Sequence, residues 1–219
     1  SVLAQAAPER TEQAMRAVLE YLVDEKLGII KLLTPPFDGA LFPGYIRGYL
    51  PGVRENGGQY THGAIWSVLA CLRLGWKQEA WALYQRLLPL WHGRNEEEAR
   101  RYRVEPYVVA ADIYANPQQA GRGGWTWYTG AAAWLAYVGI QGLLGMEKRG
   151  ERIRLRPTAP KDWTDGYEIA YQWGSALYRL CARPGLAQPL LDGQPLPEGW
   201  ITLADDGREH VALFPFTDD

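Results

Sequence analysis

From Pro8 to Glu25, apolar residues recur at Ala14, Val18 and Leu22 with Leu19 and Val23 beside them. This spacing predicts a helix over residues 8–25, opened by Pro8 and ended by Gly28. Ile29 to Leu33 is a short apolar run that Pro35-Pro36 stops. Further on, helices are predicted from His62 to Leu74, with Thr61 as N-cap and Gly75 as stop, and from Lys77 to about Leu88. The tight Gly75-Trp76 link predicts an antiparallel helix pair. Asn95 caps a short charged helix, EEEARRYR, read as a solvated face. PYVVAADIYA reads as an apolar helix ended by Asn116-Pro117, and a last helix runs from Gly130 to about Leu144, where Gly145 ends it.

Beyond Gly145 the period shortens to two. Residues 152–156, 167–173, 176–182, 190–191, 200–203 and 210–214 read as strands, and Asp192-Gly193 and Asp206-Gly207 as hairpin-type turns. The pattern therefore gives a mainly α chain with a C-terminal β unit. Residues 1–148 are helical, and 149–219 form a small antiparallel β-sandwich-like domain without a flexible linker between the two.

Composition narrows the function. With 219 residues, 47% of them hydrophobic, the chain can bury a proper core as one large domain or two small ones. The 23 basic and 25 acidic residues are spread along the chain, so no basic surface for nucleic acid or anionic membrane is expected. No apolar run approaches the roughly 18 residues of a spanning helix. The start SVLAQAAPER lacks the features of a signal peptide, so the chain reads as cytoplasmic. Cys71 and Cys181 lie in apolar contexts that suit neither a disulfide framework nor a cysteine metal site. His62, His92 and His210 are far apart, so no metal is expected either. Ten Trp and thirteen Tyr against four Phe favour rings with a hydrogen-bonding tip, which suit the partly wet walls of a sugar site.

The interval Gly44 to Gly63, GYIRGYLPGVRENGGQYTHG, is too long and polar for an ordinary connection and reads as a ligand-lining loop. A second glycine- and aromatic-rich loop, QAGRGGWTWY, spans Gln119 to Tyr128. Both end in a threonine at a helix start, Tyr60-Thr61-His62 and Tyr128-Thr129-Gly130. Helix N-termini favour anions, and Thr129 with the Gly130 backbone and the His62 imidazole would hold a phosphate. The plain alternative is two ordinary N-caps and a surface or core histidine. Arg54 beside Glu55 would clamp sugar hydroxyls between Tyr49 and Tyr60, unless Asn56-Gly57 is simply a turn. Glu55, Glu105 and Asp112 offer carboxylates, but no spacing singles out a hydrolytic pair.

Three blocks, GYIRGYLPGVRENGGQYTH, RYRVEPYVVAADIY and GRGGWTWYTGAAAW, resemble the C-terminal part of the cellobiose-phosphorylase-like glycoside hydrolases, family 94. The branch most alike is the phosphorylase-like region of cyclic β-1,2-glucan synthases and the β-1,2-oligoglucan phosphorylases. The resemblance runs from LLTPPFDG to DDGREH, nearly the whole chain. It implies part of an (α/α)6 toroid of helix pairs followed by a β unit, and inverting phosphorolysis of a β-glucan to α-glucose 1-phosphate. Inorganic phosphate is then the co-substrate and no cofactor is implied. His62, Thr129 and Gly130 match the family's phosphate-binding positions. Tyr49, Arg54 and Glu55 match positions that contact the sugar leaving group, and Arg54 stands where lysine is typical, a change from point charge to planar fork. Cellobiose-type members carry a glutamine just after the EPY element, where Val108 to Ala111 are apolar here.

The family's catalytic aspartate lies upstream of the matching blocks, so no catalytic residue is assigned in this chain. The expectation is a fragment whose partners are β-glucan, phosphate and the remainder of a parent chain, itself anchored in the inner membrane if it is a glucan synthase. Alone, the fragment should be inactive and, with unpaired helix faces, prone to dimerise. Two alternatives stand beside this reading. One is a non-catalytic β-glucan-binding or chain-length-controlling module, the other a helical hydrolase that uses water.

Overall fold

A computed structural model describes the chain except residues 1, 3, 40, 41, 128, 159–162, 164 and 217–219, and the side chain of Thr129. Two compact units follow each other, Ser1–Val138 and Gly139–Asp219, dividing ten residues ahead of the boundary expected at residue 148.

In the first unit, helix α1 (Pro8–Ala17) continues through a π turn, Val18–Leu22, into a small hairpin of β1 (Val23–Asp24) and β2 (Ile29–Ile30). The helix stops short of the predicted Glu25 because the Asp24 carboxylate accepts the Leu27 N–H at 3.0 Å and pairs with Lys31 at 2.8 Å, which turns the chain back. A long loop then leads to β3 (Gln59–Tyr60), α2 (Thr61–Arg73) and α3 (Lys77–Leu87). Gly75, at φ +77°, makes the tight reversal between the last two, as its lack of a side chain permits. The short helices α4 (Pro89–His92) and α5 (Glu96–Tyr102) follow, and Asn95 Oδ1 caps the second by accepting the Glu98 N–H at 3.0 Å.

Residues 106–115 are not helical, contrary to the pattern. Asp112–Ile113 forms β4, antiparallel to β3 with Tyr60 opposite Asp112. A short apolar run fits a fully buried strand as well as a helix, and here Val108, Ala110, Ala111 and Ile113 are all buried. Helix α6 (Thr129–Tyr137) closes the unit and passes into a π turn, Val138–Leu143. Its core joins Ile65, Val68 and Leu69 of α2, Leu83 and Leu87 of α3, and Ala131 and Leu135 of α6.

The second unit holds β5 (Met146–Arg149), β6 (Arg152–Leu155), β7 (Tyr167–Trp173), β8 (Ala176–Arg183), β9 (Leu190–Leu191), β10 (Gln194–Pro195), β11 (Ile201–Thr202) and β12 (Glu209–Pro215). A three-stranded sheet, β11-β6-β5, and a five-stranded sheet, β10-β9-β12-β8-β7, share one core that includes Ile153, Tyr178, Leu180, Ile201 and Phe214. The expected antiparallel unit needs one correction, because β12 runs parallel to β8, from Glu209 opposite Leu177 to Pro215 opposite Arg183. The long connection after β8 gives the chain room to return in the same direction. Asp192-Gly193, both at positive φ, form the turn between β9 and β10.

Candidate functional site

The loop before α2 is tied down by its own polar side chains. After a 3-10 turn, Gly44–Gly48, it folds into a miniature hairpin in which Val53 pairs with Asn56 and Arg54-Glu55 occupies the bend. The turn is thus two residues earlier than Asn56-Gly57, with Arg54 itself at φ +49°. Asn56 is fully buried. Its Oδ1 accepts the Phe37 N–H at 2.7 Å, and its Nδ2 donates to the carbonyls of Phe37 and Tyr49, both at 2.9 Å. Gln59, also buried, accepts the Ile30 N–H at 2.9 Å and donates to Thr61 Oγ1 at 3.3 Å. Thr61 is therefore not the cap of α2. Tyr60 holds that position with no side-chain cap bond, and Thr61 is buried in the first turn.

This folding brings Tyr49, Arg54 and Glu55 together. The guanidinium of Arg54 lies 5.4 Å from the centre of the Tyr49 ring, with its Nε 3.8 Å from Glu55 Oε2. Glu55 Oε2 is buried and has no hydrogen-bond donor among the described residues.

Tyr60 belongs to a second cluster. Its ring lies nearly parallel to the His62 imidazole, 10° between planes and 6.3 Å between centres. Trp66, one turn along α2, meets the imidazole edge-on at 4.9 Å, and Trp134 of α6 stands 6.1 Å away. In this aromatic enclosure Nε2 of His62 is buried with no hydrogen-bond partner among the described residues. At the first turn of α6, a Cβ on Gly130 would stand 3.9 Å from both Nδ1 and Cε1 of His62. The imidazole and the N-terminal turn of α6 are thus neighbours, although they are 68 residues apart in sequence. The opening N–H groups of a helix have no intrahelical acceptors and carry a partial positive charge. The side chain of Thr129 lies outside the described residues.

Asp112 links the two loops. Its segment pairs with β3 on one side, and its carbonyl accepts the Gly124 N–H at 2.9 Å on the other. Its carboxylate Oδ1 accepts the Trp125 N–H at 3.2 Å, while Oδ2 has no hydrogen-bond partner among the described residues. Burial pushes this carboxyl above its ordinary range against the lowering by the Trp125 N–H and the Arg54 charge, and the charge of Glu55 adds to the rise. Glu105 takes a different partner, accepting Trp127 Nε1–H at 3.3 Å. Its own backbone N–H, then that indole, hold it below the usual carboxylate range.

Sequence reasoning missed the stapling roles of Asn56 and Gln59 and the place of Trp66 and Trp134 around His62. The one available signal was polar side chains embedded in a glycine-rich stretch. Among the described residues no group of three His, Cys, Asp or Glu could hold a metal ion, and no helix is long and apolar enough to cross a membrane.

The profile of the glycosyl hydrolase 94 superfamily catalytic domain matches residues 1–145. The chain is 49% identical over 206 residues to the cyclic beta-(1,2)-glucan synthase NdvB of Rhizobium meliloti, covering 94% of this chain and 7% of that protein. It is 31% identical over 218 residues to an N,N'-diacetylchitobiose phosphorylase of Vibrio proteolyticus, covering 95% of this chain and 26% of that one. With a solabiose phosphorylase of Paenibacillus borealis the identity is 28% over 213 residues, 94% of this chain and 27% of the relative. The chain thus spans about a quarter or less of the length of these relatives, and on the match over most of its length it belongs to the glycosyl hydrolase 94 superfamily.

Proposed function

We propose that this chain supplies the phosphate- and saccharide-binding side of a glycoside phosphorylase or glucan synthase active site, its helical unit forming part of an (α/α)6 toroid. The observation that carries the reading is the buried Nε2 of His62, with no hydrogen-bond partner among the described residues, on an imidazole set against the opening turn of α6 at Gly130. A phosphate there would take backbone N–H donors from α6 and a hydrogen bond or charge from the imidazole. Tyr49, Arg54 and Glu55 would hold the leaving-group sugar of a β-glucan.

In the reaction, a phosphate oxygen forms a bond to the anomeric carbon as the glycosidic C–O bond breaks, and a carboxylic acid protonates the departing oxygen. The product is α-glucose 1-phosphate. None of the present residues is assigned as that acid, so the chain alone should bind without turnover. Fixing the phosphate in line with the anomeric carbon, and stabilising its charge, is this region's contribution.

Titration of the chain with inorganic phosphate tests the reading. Saturable binding, weakened at least about tenfold in His62→Ala, is expected, a change of about 1.4 kcal/mol or more. Absence of phosphate binding would refute it. β-1,2-Glucooligosaccharide should bind more tightly when phosphate is present, with no glucose 1-phosphate released. Equal saccharide affinity with and without phosphate would instead select a non-catalytic glucan-binding module, a reading to which the exposed rings of Tyr107, Trp125 and Trp127 lend support.

A further inference from the structure

We infer that Asp112 is a specificity-determining residue of the saccharide site, its carboxylate Oδ2 accepting a hydrogen bond from a hydroxyl of the bound glucan. The inference rests on the proposed function and adds to the saccharide contacts a residue that lies outside the Arg54-Glu55 turn.

Asp112 is 1% exposed, and among the described residues only one of its two carboxylate oxygens has a donor, the Trp125 N–H. Oδ2 is buried with no hydrogen-bond donor among the described residues, and the same holds for Oε2 of Glu55, whose charge acts on Asp112. Buried carboxylate oxygens are normally satisfied, so the Oδ2 of Asp112, on a strand paired with Tyr60, marks a place built for a donor that comes from outside. A metal would also satisfy them, but no metal-binding group of three side chains exists among the described residues. Sugar hydroxyls are donors of the required kind, and the proposed function places a sugar at Arg54 and Glu55.

The surroundings are shaped to keep this carboxylate in place. A Cβ on Gly124 would fall 2.5 Å from both its oxygens, so only glycine allows Asp112 to lie against that segment. Gly124 also lines a groove of about 400 Å³ with Tyr114, Arg122 and Trp125, and the indole of Trp125 is 59% exposed. An exposed indole beside hydrogen-bonding side chains is suited to the face of a sugar ring. The charged and titratable groups that act on or answer to Asp112 are Arg54 and Glu55 of the loop and Tyr114 of its own segment.

The test is calorimetric binding of β-1,2-linked glucotetraose and, separately, of inorganic phosphate to the wild-type chain and to Asp112→Asn from pH 5 to 8. Asparagine keeps an acceptor for the Trp125 N–H and removes the charge. Saccharide affinity should fall at least about tenfold in the variant while phosphate affinity stays within about twofold. Where wild-type saccharide affinity weakens as the pH falls and Asp112 takes up its proton, Asp112→Asn should not share that weakening. Unchanged saccharide affinity in Asp112→Asn overturns the inference and leaves the proposed function standing. A folded variant that loses phosphate and saccharide binding alike assigns Asp112 to loop positioning and also overturns it. Wild-type chain that binds phosphate but no saccharide overturns the inference together with the saccharide half of the proposed function. Should the variant fail to fold, carbon-13 NMR of the wild-type chain decides: an Asp112 carboxyl resonance that does not move when the saccharide saturates the chain overturns the inference, and one that shifts with saccharide but not with phosphate upholds it.

Discussion

Replacing Asn56 by alanine tests whether the long loop before α2 is part of the folded core or a flap on its surface. Three hydrogen bonds disappear, one accepted from the Phe37 N–H and two donated to the carbonyls of Phe37 and Tyr49. Phe37 and Tyr49 are only half-buried, and the net value of each bond applies in place of the full desolvation penalty. At about 1 kcal/mol per bond the loss is about 3 kcal/mol. For a cooperative unit the size of Ser1–Val138, 1 kcal/mol corresponds to about 3 °C, so the first unit should melt about 10 °C lower. Differential scanning calorimetry, supported by tryptophan fluorescence because Trp66 and Trp134 report on the neighbouring cluster, measures this directly. Asn56→Asp keeps the acceptor but loses both donations, and it places a charge at a fully buried site, so it should melt no higher than the alanine variant. A melting temperature within about 2 °C of wild type for Asn56→Ala would refute the reasoning, because the loop would then open independently of the core.

Gly52→Ala should be destabilising by at least about 2 kcal/mol, since the residue sits at φ +83° and its Cβ would fall 2.3 Å from the Asn116 backbone nitrogen; urea unfolding of the first unit reads this out. In the second unit, His210 hydrogen-bonds to Asp192 at 2.7 Å and Asp206 at 3.2 Å, and the Asp192 bond above all raises its pKa. A group whose folded pKa is raised stabilises fully below its unfolded value, so the wild type should lose stability as the pH rises from about 6 through the folded pKa. His210→Gln should abolish that slope in thermal melts, and an unchanged slope would contradict the assignment. Cys71 is fully buried, and burial, with a smaller effect of Glu79, pushes its thiol up to about 12. It should resist a thiol-reactive dye in the folded protein and react promptly in denaturant; fast native labelling would contradict its placement.

The sequence was most legible where local chemistry decides. Asn95, Gly75 and Asp192-Gly193 act through their own side chains or backbone angles, and their cap, reversal and turn stand where the residue types point. Legibility failed where distant partners decide. Asp112 and Ile113 take a strand because Gln59 and Tyr60 lie alongside, and periodicity holds no trace of that partner. The direction of β12 depends on which strand it meets, and a two-residue alternation is the same for parallel and antiparallel pairing. In the candidate site, His62 and Gly130 were singled out as types, but their proximity is a product of packing between α2 and α6. Asn56, read as part of a turn, is a buried staple whose partners 19 and 7 residues away no local rule specifies.

Because β12 fills the middle of its sheet, between β9 and β8, the pieces emerging earlier from the ribosome cannot join one another. The β7-β8 and β9-β10 hairpins would wait with open edges until residues 209–215 arrive to bridge them. Such long-range closure makes for slow assembly and a window in which strand edges are exposed to foreign chains. Expression yield should therefore depend more on the integrity of these seven residues than on any comparable surface stretch of the second unit.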